Sequence, residues 1–426
     1  MSLKNSILKM KIHSLCIFFF ISSLLFAPLA LVMYAGLVYL TYKEGIKGAI
    51  QSMIILTFRG ILSTAVAVSV GGYNTLKLIL ILFLSFYIMY NSLNITKNRK
   101  MKIILIGVLV FSFFSIVASF ISGSYPISSS FKVISFFMTF LSILYGIYKT
   151  RNQFDWLNYI YKWFTYLMVV SFFLIPFNRF RIINTNFQGV FNHVNVMGVI
   201  GALYISILLI KKDVSNKIIL NVLILMTLIM QYLTASRTGL IISISCLLIY
   251  EITHISIKRC IIALIPIFLF LFAYNLNTKV HKYINSQVTS YIYKGNQNDI
   301  LSSRRGLQKI SQIKYENNKI CGSGFMMPFS KNVKNYSLEM GGFYEPGNLF
   351  LMLIGDTGII GLILFIVFLF MLILSGKLKN IYLIISSFGI CMGEMVFFSV
   401  NNFSILIYVI LALYITIKIR ENGHFS

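Results

Sequence analysis

The chain has 426 residues, of which 58% are hydrophobic and 11% are charged. Soluble domains contain about 45–50% apolar and about 25% charged residues, so this composition excludes a soluble enzyme, a disulfide scaffold and a disordered chain. It indicates a polytopic membrane protein, in which the formal net charge of +26 is typical of basic cytoplasmic loops beside anionic headgroups rather than of nucleic-acid binding.

Apolar runs long enough to cross a bilayer, about 20 residues each, predict an all-α fold of twelve membrane-spanning helices. The predicted spans are residues 14–40, 74–92, 102–121, 131–149, 156–176, 190–210, 217–233, 238–254, 259–275, 348–374, 379–399 and 403–419. They divide the chain into an N-terminal membrane part (1–275), a long loop (276–347) and a C-terminal membrane part (348–426).

Connectors after the even-numbered spans are basic, which predicts that they and both termini are cytoplasmic. The residues concerned are Lys97, Arg99, Lys100, Lys102, Lys149, Arg151, Lys211, Lys212, Lys217, Lys258, Arg259, Lys377, Lys379, Lys418 and Arg420.

The stretch 43–73 holds two apolar runs separated by Arg59. Counted as one more span, it would invert every later connector and place an arginine near the bilayer centre, at a cost of about 2.5–3.5 kcal/mol. We expect an extracytoplasmic segment that dips into the membrane or lies along it. The alternative is thirteen spans with a frayed first helix.

The loop 276–347 carries ten Lys or Arg and four Asp or Glu residues, interspersed with aromatic residues. A structureless loop of this length is uncommon in a compact protein unless it is functional or disordered. The mixture of aromatic and charged residues favours a folded extracytoplasmic cap, with a short helix over Arg305–Asn317.

Six of the ten arginines fall on the outer side of this topology, against the positive-inside tendency. They are Arg59, Arg179, Arg181, Arg237, Arg304 and Arg305. Arginine binds phosphate through two parallel hydrogen bonds and stays charged beside a low-dielectric wall. The group therefore predicts a pyrophosphate site at the outer face, although any single arginine could equally extend towards lipid headgroups.

Other polar residues gather at span ends on the same side. The clusters are 178–181 with 191–195, 234–239, 303–305 and 344–348. Asp356 and Glu394 fall in the outer halves of two spans, where an ionisable residue is either functional or paired with an arginine. No metal-ligand spacing and no nucleotide-binding loop is visible, so we expect neither a metal nor a cofactor. The predicted ligand is a lipid-linked phosphate or an anionic solute in transit.

Segments within 175–370 resemble the superfamily of O-antigen ligases and Wzy-type polysaccharide polymerases. The similar segments are Phe191–Asn195 with Gly198 (where Val194 replaces a proline), Ser236-Arg237, Arg304 with Cys321–Gly324, and Asn348–Leu351 with Gly355–Gly361. Ligases of this superfamily carry a catalytic His just before the Asn that corresponds to Asn348. Because Gly347 stands there, the resemblance is nearer to the polymerases.

The resemblance implies a metal-independent glycosyltransferase at the outer face of the bacterial inner membrane. It would join undecaprenyl-diphosphate-linked oligosaccharides into O antigen, capsule or exopolysaccharide. The implied diphosphate ligands are Arg237, Arg304 and Arg305, followed by Arg179 and Arg181. The base candidates are Glu345, His193 and Asp356, and further substrate contacts are Asn195 and Asn348.

The implied partners are a lipid-linked donor and acceptor, membrane lipids and a chain-length regulator protein. Three alternatives stay open. A ligase is disfavoured by Gly347. A transporter or flippase of lipid-linked glycan should show mid-depth charges and related halves. A structural membrane protein would leave the outer arginines unexplained.

Overall fold

The computed structural model describes residues 3–69, 72–182, 186–212, 216–254, 305–327 and 347–417. In these ranges the helices are α1 Leu3–Leu25, α2 Ala27–Glu44, α3 Ile46–Gly60, α4 Tyr73–Ser92, α5 Arg99–Ser122, α6 Pro126–Thr150, α7 Trp156–Phe173, α8 Val194–Lys212, α9 Lys217–Leu233, α10 Arg237–His254, α11 Arg305–Asn317, α12 Leu349–Ser375, α13 Tyr382–Gly389 and α14 Ser404–Thr416. Strands β1 Arg181–Ile182 and β2 Asn186–Phe187 pair antiparallel. The predicted all-α class is confirmed.

Among the described residues, five helices are long and apolar enough to cross a membrane. Their spans are Tyr73–Ile95, Arg99–Ser122, Pro126–Thr150, Val194–Lys212 and Leu349–Ser375. Shorter apolar helices cover Ser14–Leu25, Lys217–Leu233, Tyr382–Met392 and Ser404–Thr416. This is the architecture of a multi-pass membrane protein. The count of twelve spans stays a prediction, and the predicted span 259–275 lies outside the described residues.

Lysine side chains tie together one end of the helix bundle, which we call the lysine-rich end. Lys100 Nζ at the start of α5 donates to Ser375 O at the end of α12 over 3.0 Å. Further contacts there join Lys149 with Asn91 O, Lys211 with Asn158, Lys212 with Glu251, and Lys47 with the ring of Phe154. The basic connectors among the described residues therefore gather on one side, as their charge predicts.

The opposite end, which we call the site end, is built from the loop after α3 and the segment before α8. Asn192 N donates to Ile61 O at 2.9 Å, and Ser63 N donates to Val190 O at 2.8 Å. The starts of α8, α10 and α12 lie at this end.

The predicted first span, 14–40, is wrong because the chain forms a helical hairpin there. Phe26 separates α1 from α2 in an extended conformation (φ −140°, ψ 137°), and Pro28 stands in the first turn of α2. Proline fits a first turn, where its missing N–H would have no intrahelical acceptor, but it cannot continue the preceding helix. Gly36 of α2 packs against the ring of Phe19 of α1, so the two helices run antiparallel.

The stretch 43–73 matches neither expectation, since α3 is a buried helix that runs from the lysine-rich end to the site end. The helices α2 and α3 each cross the bundle once. Because the two crossings run in opposite directions, every later connector stays on the same side as before. Arg59 donates to Ser23 O at 3.3 Å and to Val68 O at 2.6 Å, and its guanidinium lies 5.2 Å from the ring centroid of Tyr73. This arginine satisfies free carbonyl groups inside the protein.

The predicted span 379–399 is wrong as a continuous helix. The helix α13 has eight residues, and after a 3₁₀ turn the backbone has no regular helix from 393 to 403. Side chains from elsewhere in the chain donate hydrogen bonds to the freed carbonyl groups: Tyr408 Oη donates to Phe397 O, and Lys77 Nζ donates to Asn401 O. Irregular backbone at membrane depth is stable where the protein satisfies it in this way.

The helix α12 is broken at Gly358 (φ 65°, ψ −168°), and part of the long loop fills the break. Three backbone hydrogen bonds join the two: Ser323 N to Gly355 O at 3.0 Å, Gly324 N to Asp356 O at 3.1 Å, and Ile359 N to Lys319 O at 3.0 Å. The helix predicted within the loop is confirmed as α11. The two glycine-containing segments of the resemblance, 321–324 and 355–361, are thus packed against each other.

Substituting Gly322 with alanine should destabilise the protein by at least about 1–3 kcal/mol, the usual cost of a strained backbone. Gly322 has φ +72°, and a Cβ there would fall on the backbone of Asp356 and Thr357. Gly306 of α11 is the matched control, because a Cβ at that position meets open space. We expect G306A to cost nothing and to gain at most about 1 kcal/mol of helix propensity. Heating both purified variants in detergent and measuring the folded fraction tests this difference; equal stabilities would contradict the packing described.

Candidate functional site

Four segments meet at the site end: 193–198, 234–239, 347–348 and 392–394. We call them the four-segment cluster. The segments 193–198 and 234–239 contact each other closely at two glycines. A Cβ on Gly198 would fall on Ser236, and a Cβ on Gly239 would fall on the carbonyl of Gly198. The buried Gln231 amide also donates to Gly198 O at 2.9 Å. The start of α8 therefore holds the turn before α10 in a fixed position.

Asn195 connects α8 to the irregular segment after α13. Its Nδ2 donates to Glu394 Oε1 at 2.7 Å, and its backbone N–H donates to His193 Nδ1 at 3.1 Å. Gly393, beside Glu394, packs directly against Thr238 near the start of α10. His193 is exposed, and Asn195 and Glu394 are half-buried, so these polar groups border the surface of the cluster.

Asn348 brings the start of α12 to the same place. Its Oδ1 accepts hydrogen bonds from Phe350 N at 3.0 Å and Leu351 N at 3.1 Å, which caps the helix, while its Nδ2 donates to Met392 O at 3.3 Å. Gly347 precedes it with φ +72°, a conformation that a residue with a Cβ adopts only with strain. The position that carries His in the resembling ligases is thus shaped for glycine.

The electrostatics of the cluster favour an anion. The N-termini of α8, α10 and α12 all reach it, and each helix N-terminus carries about half a positive charge. Arg237 is the first residue of α10 and is half-buried, so it adds a full charge at the same place. Arg237, His193, Asn195 and Asn348 thus lie in one cluster, and their role as one substrate site stays a prediction.

Asp356 lies apart from this surface, in a buried ion pair that we call the loop anchor. Its side chain and that of Lys314 of α11 have no exposed area. Lys314 Nζ also donates to Gly324 O at 3.1 Å and to Met327 O at 2.8 Å, and Met326 N donates to Asp356 Oδ2 at 2.6 Å. Burial lowers the pKa of Lys314, and the Asp356 carboxylate opposes that shift. The intramembrane partner expected for Asp356 was an arginine; the structure shows a lysine from the loop.

The other predicted site residues are only partly placed. Arg179 is exposed on a 3₁₀ turn at the site end, outside the four-segment cluster. The backbones of Arg181 and Arg305 begin β1 and α11 respectively. Arg304 and Glu345 lie outside the described residues. Within the described ranges, no three His, Cys, Asp or Glu side chains come together as a metal site would require.

Two residues of this region were not assigned to the site from the sequence. Glu394 was noted only as an ionisable residue in a span, but Gly389, Gly393 and the pair Asn401-Asn402 interrupt that apolar run and could have indicated a break near it. Lys314 had no such signal, since a lysine in a polar loop is usually exposed.

Comparison with known protein families finds a match over part of the chain. Residues 222–366 match the family model described as O-Antigen ligase. The matched range begins in α9 and ends in α12, and it includes Arg237, Arg304, Arg305, Glu345, Asn348 and Asp356. His193, Asn195 and Glu394 lie outside it. A comparison with curated proteins finds no match.

Proposed function

We propose that the chain, whose residues 222–366 match the O-Antigen ligase family model, is a polymerase of the superfamily of O-antigen ligases and Wzy-type polymerases. It joins oligosaccharide repeat units carried on undecaprenyl diphosphate, at the outer face of the inner membrane. The acceptor hydroxyl attacks the anomeric carbon of the donor, the bond to the diphosphate breaks, and undecaprenyl diphosphate leaves.

The observation that carries this proposal is Gly347. A ligase of the resembling type needs a His immediately before the Asn that caps the helix. Here the residue before Asn348 is Gly347, which has φ +72°. A histidine would be strained there, so the ligase base has no counterpart at this position.

The leaving diphosphate gains negative charge as its bond to the sugar breaks. Fixed donors directed at that charge stabilise the transition state most in a partly dry site. Arg237 is assigned to this role with the three helix N-termini beside it, joined by Arg304 and Arg305 and then by Arg179 and Arg181. Asn195 and Asn348 contact the substrates, and His193 or Glu345 is a candidate acceptor of the hydroxyl proton.

A ligase is the second candidate, since the description of the matched family model names that activity. It would transfer finished glycan from the carrier lipid to another acceptor. The two activities share the diphosphate site and differ in the acceptor, so their accumulated intermediates differ.

Deleting the gene should leave surface glycan with a single repeat unit. Gel electrophoresis of the surface glycan, with the wild-type gene restored on a plasmid as control, distinguishes the candidates. A single repeat on the final acceptor indicates a polymerase. Finished polymer left on the carrier lipid indicates a ligase, and loss of all outward-facing repeats indicates a flippase; either result would overturn the proposal.

A further inference from the structure

Glu394 stands where regular helix gives way to irregular backbone at the site end. Its N–H donates to Ile390 O at 2.9 Å, and its carbonyl accepts from Val396 N at 2.8 Å. Gly393 packs against Thr238 on the preceding side. The backbone that carries this carboxylate is thus fixed on both sides, which is the rigid support that a positioned proton acceptor requires.

The Glu394 side chain is oriented by a second group. Asn195 Nδ2 donates to Oε1 at 2.7 Å, and the backbone of Asn195 is held in turn by His193 Nδ1. This chain of contacts directs the carboxylate to the four-segment cluster, beside the start of α10 that carries Arg237.

Other carboxylates in the described parts of the chain are engaged or remote. Asp356 is held by Lys314 and by Met326 N–H inside the loop anchor. Glu316 is exposed on α11 and accepts from Gln312 of the same helix. The carboxylates at the lysine-rich end are Glu44, Asp155 and Glu251. Glu394 is therefore the described carboxylate that borders the cluster.

We propose that Glu394 is a catalytic residue that accepts the proton of the acceptor hydroxyl, and that Asn195 is its positioning residue. The inference rests on the proposed polymerase function. The hydroxyl O–H bond breaks as the proton moves to the Glu394 carboxylate, and the oxygen forms a bond to the anomeric carbon of the donor. The carbon–oxygen bond to the diphosphate breaks, and its electron pair leaves with the diphosphate, whose charge Arg237 stabilises.

Substituting Glu394 with glutamine separates this role from a structural one. The glutamine carbonyl still accepts the hydrogen bond from Asn195, so if Glu394 served only to hold Asn195 in place, E394Q would stay active. Our proposal predicts a fall of about 10²–10⁴-fold in the polymerisation rate, with unchanged binding of a fluorescent undecaprenyl-diphosphate-linked repeat unit. E251Q is the matched control at the lysine-rich end and should keep the wild-type rate.

Two further variants complete the test in purified, detergent-solubilised protein. E394D keeps a carboxylate and should retain more activity than E394Q; if it is no better, or if E394Q is fully active, the proposal fails. N195A should give a smaller loss than E394Q, because the base remains but is less well oriented. If E394Q is active while R237A is inactive, only the assignment of Glu394 fails. If both are active, the assignment of the site fails as a whole, whereas a wild-type protein that does not polymerise repeat units would refute the proposed function itself.

Discussion

Substituting Arg237 with alanine is expected to abolish long polysaccharide chains while single-repeat glycolipid stays in the membrane. Arg237 begins α10 in the four-segment cluster, where three helix N-termini already favour an anion. Removing one fixed donor to a developing oxyanion lowers a rate by about 10²–10³-fold. A polymerase slowed this much at every addition cannot build a ladder of chain lengths. R304A should have the same phenotype, on the assignment from sequence.

The lysine variant separates charge from shape. R237K keeps the positive charge but loses the planar fork that donates two parallel hydrogen bonds to phosphate, so we expect poor rescue. R99A is the control, since Arg99 is an exposed arginine near the lysine-rich end. Gel analysis of surface glycan from strains expressing each variant gives the comparison. Normal ladders from R237A would refute the assignment of Arg237 to the diphosphate.

Helices were predictable where local pattern alone defines them. The bounds 217–233 predicted for one span are those of α9, and the helix predicted over Arg305–Asn317 is α11. The α9 segment is a mainly apolar run with few polar interruptions, between Asn216-Lys217 and Thr234. The α11 segment combines apolar and charged residues over a length typical of a short helix. Gly322 and Gly324 follow shortly after its end. Such signals lie within one stretch of sequence, so sequence reasoning reaches them.

The errors occur where distant residues decide the structure. The break after α13 is stabilised by Lys77, which is 324 positions away from its partner Asn401, and no reading of 379–399 alone contains that information. Pro28 is a local sign of the hairpin of α1 and α2, but the prediction of one span over 14–40 followed hydropathy alone. Hydropathy measures transfer into lipid and is insensitive to a break of one residue such as Phe26.

The candidate site stays a prediction, and the fold shows only which of its residues lie near one another. His193, Asn195, Arg237 and Asn348 were grouped by their place at span ends, and the fold brings them to one end. The pairing of Asn195 with Glu394 joins positions 199 apart in the chain, and the partner of Asp356 comes from the loop rather than from a neighbouring span. Charge and spacing indicate which residues share a side, whereas contacts between them depend on how the helices pack.

Substituting Asp356 with asparagine is expected to destabilise the folded protein by about 3–5 kcal/mol, the cost of removing one partner from a buried ion pair. Asparagine has nearly the same side-chain volume as aspartate, so the loss of stability would measure the effect of removing the charge. Lys314 Nζ would stay buried among the carbonyls of Gly324 and Met327 without an anion. Thermal unfolding in detergent measures the effect, with E316Q on the exposed side of α11 as control, where a change within about 0.5 kcal/mol is expected.

Removing both charges tests what Asp356 does. In the double variant K314M/D356L no charge is buried, so it should be more stable than D356N, although Met326 N–H and two loop carbonyls lose their partners. If the pair serves only to anchor the loop against the break in α12, polymerisation should return with stability. If Asp356 takes the proton of the acceptor, as its position in the sequence suggested, the double variant would fold and stay inactive. We expect recovery, because a carboxylate with no exposed area and two bound partners has no path to a sugar hydroxyl.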